Sequence, residues 1–157
     1  MPIILRVMVD AVFFLEGIQK FLYPEYVGVG RFERIGIPAP EVMGPFVGGL
    51  EIVCGLLILV GLLTRAAALQ TLCIMAVAII TTKIPILLGT EFLGFSLRKV
   101  SYYGFLGFAH ESRTDWSMAL GSIYLIISGG GRWSMDAWLM RNAEAPASPQ
   151  SQLHPGD

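Results

Sequence analysis

The chain has 157 residues, enough for one domain, and is 54% hydrophobic but only 15% charged, where soluble domains carry roughly 25%. Its formal net charge of -1 excludes a basic field for nucleic acid, and no block of like charge marks an extended interaction arm. So little charge, combined with long uncharged runs such as Ala66 to Thr82 and Trp116 to Gly131, excludes an ordinary water-soluble fold and points to a membrane.

The first helix is predicted over residues 3–22 and stops before Pro24. It is no cleavable signal peptide, because charges interrupt it and no small-residue cleavage site follows. On a helical wheel Arg6, Asp10, Phe13, Gly17 and Lys20 form one stripe, with Glu16 beside it. An unpaired charge inside a bilayer costs several kcal/mol, so this stripe must face other helices. Residues 23–44 follow as a long connection whose VGVGRFERIGIPAP reads as a short helix and a proline-braced turn.

A second helix is predicted over 45–63, with Pro45 in its first turn and Glu51 as the sole charge between Glu41 and Arg65. The short turn at Thr64-Arg65 makes an antiparallel hairpin with a third helix, 66–88, which Pro85 bends or ends. Residues 89–114 interleave Phe92, Phe95, Tyr102, Tyr103, Phe105 and Phe108 with Arg98 and Lys99, a mixture suited to the headgroup zone and to an interfacial helix. Bases among aromatics also suit single-stranded nucleic acid, but a neighbouring bilayer argues against that partner. The fourth helix is placed from Asp115 to about GGGRWSMD.

The expected architecture is therefore all-α: an integral membrane four-helix bundle over residues 1–141, with an interfacial amphipathic segment in the second long loop and a disordered polar tail over 142–157. The lipid bilayer is the first partner. Bases concentrate on the two long connections and their flanks, which by the positive-inside rule favours the cytoplasmic side for them.

Depth along the helices gathers the charges. Glu16 and Lys20, Glu51, Thr81-Thr82-Lys83, and His110 with Asp115 all fall in the half of the bundle nearest the long connections. In a pocket there, Glu51 and Glu16 are the candidate catalytic proton carriers, and Lys20, Lys83, His110 and Asp115 the candidate ligand-binding groups. The competing reading is polar glue, with Glu16–Lys20 as an i,i+4 pair and Glu51–Lys83 tying two helices together. Arg6 and Asp10, at the other end, read as a structural ion pair joined by Arg132 and Asp136. Cys54 and Cys73 lie inside helices as packing residues or a facing pair of thiols. Two histidines, one of them in the tail, make neither a metal nor a haem site, so no metal is expected.

The first-helix pattern with Arg6 and EGIQKF, then RIGIPAP, the lone Glu51 ahead of GLLILVGLLTRAAAL, and the closing GGGRWSMD resemble the DoxX family in order and spacing over residues 3–138. FAHESRTDWSMALGS resembles one subgroup of it. The resemblance implies a small four-helix protein of the bacterial inner membrane, multi-pass. It also implies a redox setting, since relatives include the membrane subunit of an archaeal thiosulfate:quinone oxidoreductase. Signature positions of the family fall on Arg6, Gly17, Lys20, Glu51, Gly129, Gly131, Ser134 and Asp136. Distant relatives act as membrane chaperones or cargo receptors. This chain has no cysteine pair in a loop, which counts against direct thiol–disulfide exchange.

Two functions follow. In one, the chain is an oxidoreductase subunit with a pocket for a quinone or similar carrier, assembled with a partner redox protein or as a homo-oligomer. In the other, it is a non-catalytic chaperone or scaffold whose polar stripe serves packing. A transporter is disfavoured, because no inverted repeat or broken helix pair is evident.

Overall fold

The computed structural model describes residues 2–144. Its long helices are α1 (Pro2–Leu22), α3 (Pro40–Val60), α4 (Thr64–Ala78) and α6 (Phe105–Ser128), with a short α2 (Val29–Ile35) in the first connection. A π-helical turn (Ile79–Lys83) carries α4 straight into α5 (Ile84–Leu88), and α7 (Met135–Glu144) follows the glycine-rich motif. The four long segments pack in the ring α1–α3–α4–α6, each antiparallel to its chain neighbour, around a core of Val9, Phe13, Ile58, Ala68 and Leu125.

This is a membrane bundle. Pro40–Val60 and the rod Thr64–Leu88 are each apolar and long enough to cross a bilayer unaided. Helix α1, with 21 residues, is about 32 Å long. It buries Arg6, Asp10 and Lys20 and exposes Ile4, Val7, Leu15, Phe21 and Leu22. Helix α6 likewise exposes Leu120, Ile123 and Ile127 while burying Ser112 and Ser122. Apolar surface on this scale suits acyl chains and would not suit water.

Close helix contact is made by glycine. A Cβ on Gly17 would lie 2.7 Å from Ile52 Cγ1 and 2.8 Å from the Gly48 carbonyl, so α1 and α3 touch backbone to backbone there. Deeper in the bundle, Thr71 of α4 and Ser122 of α6 share a 3.0 Å hydroxyl hydrogen bond.

Several expected boundaries move. Helix α3 begins at Pro40, not 45, which places Pro45 inside it and Glu51 about three turns from its start. The fourth helix begins at Phe105, so the expected interfacial helix is absent: residues 89–104 are irregular, with one Phe92–Phe95 bridge, and Phe105 onward belongs to α6. Gly104, at φ 89, turns the chain into that helix. Residues 142–144 of the expected tail are helical, and the rest of it lies outside the described residues.

Candidate functional site

At the end of the bundle that carries the α3–α4 turn, Arg6, Ser134 and Asp136 act as fasteners. The guanidinium of Arg6 does not pair with Asp10. It donates to the carbonyls of Ile58 (2.7 Å), Gly130 (3.1 Å) and Trp133 (3.1 Å), and to that of Leu59. The carbonyls at the C-terminal end of α3 carry the negative end of its dipole, and the forked cation of Arg6 meets them there. Asp136 accepts from the Leu63 and Thr64 amides at 2.8 and 3.0 Å and from the Thr64 hydroxyl at 3.1 Å, capping α4 from the far end of the chain. The Ser134 hydroxyl accepts from the Ala137 amide at 3.1 Å and starts α7. Asp10 is buried, and its Oδ1 has no hydrogen-bond partner.

At the other end a cavity of about 500 Å³ opens among α1, α2, α3, the π turn and α6. Lys20 of α1 donates to Glu51 Oε2 of α3 at 2.6 Å, with both side chains buried. Lys83 of the π turn lies 3.2 Å from Asp115 Oδ2 of α6 and donates to the Glu111 carbonyl at 2.6 Å. Arg98, from the 89–104 connection, reaches Glu111 Oε2 at 3.3 Å. Glu16 and Arg31 also line the cavity and, among the described residues, have no ion-pair or hydrogen-bond partner for their charged groups. Arg31 is on the connecting helix α2. Burial pulls its pKa below the ordinary value and the like charge of Arg98 adds to that, against Glu16, Asp115 and Glu51.

The π turn matters to this geometry. Thr81, Thr82 and Lys83 are all buried in succession, a span that regular helical phase would spread over about 200°. The wider turn lies just before Pro85, whose nitrogen cannot donate, and delivers Lys83 to α6.

Of the residues singled out from the sequence, Glu16, Lys20, Glu51, Lys83 and Asp115 are brought to one cavity. His110 is not: it is exposed, lies between Arg113 and Tyr102, and is not in the cavity wall. Five residues separate it from Asp115, about 140° around a helix, whereas Glu111 shares the Asp115 face at i,i+4. Glu16 does not pair with Lys20, nor Glu51 with Lys83. Arg31, Arg98 and Glu111 are additions, and only a correct helical phase for 105–114 would have singled out Glu111. Cys54 is buried and Cys73 exposed, both as free thiols.

The cavity's lining includes Met43, Phe46 and Leu50 of α3 and Gln70, Cys73 and Val77 of α4, and of these Met43, Phe46, Cys73 and Val77 are exposed. These residues put part of the cavity's rim on the exposed surfaces of α3 and α4. Such a site can take a ligand from the bilayer, hydrogen-bond its polar head and exchange a proton with it. No group of three or more His, Cys, Asp or Glu fit to hold a metal occurs among the described residues.

The DoxX family model matches residues 1–84, more than half of the chain, including α1, α3, Lys20, Glu51 and Lys83. The chain belongs to the DoxX family. A relative, the uncharacterized membrane protein Rv3486 of Mycobacterium tuberculosis, is 51% identical to this DoxX protein over 143 residues, 91% of this chain and 83% of the relative. No solved structure matches it. The family match and the relative's printed name agree with the bundle on a membrane location.

Proposed function

We propose that this DoxX protein is a component of a membrane redox system and that its cavity holds a quinone-like or other small lipid-soluble ligand. One observation carries this reading: a cavity of about 500 Å³, of ordinary ligand size, joins charged groups to apolar walls and includes exposed apolar residues of α3 and α4 in its lining. In this reading Lys20 and Lys83 hold a carbonyl or anion, Asp115 fixes Lys83, and Glu51 or Glu16 transfers the proton. In this reading the electrons come from a partner redox protein. The chain sits as a multi-pass protein in the bacterial inner membrane.

A second reading, a chaperone or scaffold subunit, is favoured by a different observation. The Lys20–Glu51 and Lys83–Asp115 pairs each join separate helices, as packing alone would require. Mass spectrometry of lipid-soluble compounds co-purifying with wild type and Glu51→Gln separates the two. A carrier retained by the first and lost from a folded second supports the ligand site. Under mild extraction, no carrier in either supports the scaffold.

A further inference from the structure

We propose that the ligand is an amphiphile with a monoanionic oxyanion head, a carboxylate or phosphodiester, bound by Arg31 and Arg98, with its chain running out past the exposed apolar residues of α3 and α4. This rests on the cavity being a ligand site and takes the other lipid-soluble ligand of that reading, with its head at Arg31 and Arg98 in place of Lys20 and Lys83.

Three of the cavity's basic groups have protein partners: Lys20 with Glu51, Lys83 with Asp115, and Arg98 with Glu111. Arg31 has none among the described residues, so its five guanidinium donors are unspent. Arg98 is half-exposed and spends one donor on a bond as long as 3.3 Å. The two arginines come from different connections yet line one cavity, where their like charges repel. Guanidinium forks with spare donors match the oxygens of a carboxylate or phosphate, and an anion between them would turn repulsion into attraction.

A neutral carbonyl head would engage a donor but leave the like charges opposed. Glu16, also without a partner, keeps the wall near neutrality, so a single negative charge fits better than two. The apolar part of the ligand follows from the lining: Phe46, Cys73 and Val77 line the cavity and are also exposed on the outside of α3 and α4. At about 500 Å³ the cavity takes a head and the start of a chain, and the remainder lies in the bilayer.

Native mass spectrometry of the full chain in a nonionic detergent tests this, with oleate, dioleoylphosphatidylglycerol, dioleoylphosphatidylcholine and inorganic phosphate as probes. Oleate and phosphatidylglycerol should each bind one per chain, about tenfold more tightly than phosphatidylcholine, the scale of one charge-assisted hydrogen bond. Arg31→Gln should remove that preference, Arg31→Lys should restore part of it, and Arg65→Gln, at the opposite end, should leave it unchanged. Arg98→Gln, a half-exposed position, gives a second reading should Arg31→Gln fail to fold. Equal binding of phosphatidylcholine, or an unchanged preference in folded Arg31→Gln, overturns the proposal. Displacement of phosphatidylglycerol by millimolar inorganic phosphate would place the source in water and overturn the amphiphile. A neutral carrier that co-purifies with wild type and is lost in Glu51→Gln, beside charge-blind lipid binding, removes the anionic head alone and leaves the cavity a ligand site.

Discussion

Lys20 and Glu51, 31 residues apart in the chain, meet at 2.6 Å inside the bundle, and Lys20 reaches across to α3 instead of pairing with Glu16 on its own helix. Each ion is taken out of water and answered by the other, so removing one strands its partner. Lys20→Met alone should cost about 3–5 kcal/mol, whereas Lys20→Met with Glu51→Leu should recover most of that. Thermal unfolding of the single and double variants in detergent measures the difference. A double variant no more stable than the single would show that the pair is not the relevant unit.

Two glycines, Gly17 of α1 and Gly49 of α3, give opposite expectations. Gly17 touches Gly48, and a Cβ on Gly17 would fall 2.7 Å from Ile52 Cγ1, but a Cβ on Gly49 would meet nothing within 4 Å. Gly17→Ala should therefore destabilise by about 1–3 kcal/mol through overpacking. Gly49→Ala should be neutral or stabilising by up to about 1 kcal/mol through helix propensity. Melting temperatures of the two variants decide, and equal losses would disprove the close α1–α3 contact.

Loss of the Asp136 carboxylate releases two backbone amides and a hydroxyl at the start of α4. Asp136→Ala should cost about 0.5–2 kcal/mol, the usual range for an N-cap. Thr64→Val, which removes only the hydroxyl, should cost less. Proteolysis at the α3–α4 turn reads the opening directly, and an Asp136→Ala chain as resistant as wild type would remove the cap from the account.

His110 and Lys83 separate position in sequence from position in space. His110→Gln, at an exposed site outside the cavity, should change stability by no more than about 0.5 kcal/mol and leave any bound carrier in place. Lys83→Met strands Asp115 and should both destabilise the bundle and empty the cavity. Carrier content and melting temperature, measured on both variants, test the contrast.

The helical class and the inward stripe of α1 were legible because charges in lipid are costly and their spacing matched one helical face. Glu51 was legible for the same reason, as an isolated charge in an apolar run. What escaped depended on helical phase. A fourth helix begun at Asp115 puts Glu111 in a loop and gives His110 a place it does not have. The burial of Thr81, Thr82 and Lys83 in succession follows from a π turn, which a wheel of constant pitch cannot represent. Arg6 reads as the partner of Asp10 because nearby opposite charges stand out in a sequence, while the carbonyls at a helix end leave no mark there. Arg31 and Arg98 were visible only as bases in loops, since their convergence is long-range.

The capping of α4 by Asp136 has a bearing on how the chain is made. The first turn of α4 leaves the ribosome 72 residues before the carboxylate that closes it. Until then the Leu63 and Thr64 amides lack the carboxylate that caps them, and Arg6 lacks the carbonyls of Gly130 and Trp133. Protease protection of nascent chains arrested before and after residue 136 would time the step. Synthesis order thus makes the glycine-rich motif a latch, and a chain that stops short of it lacks the groups that shut it.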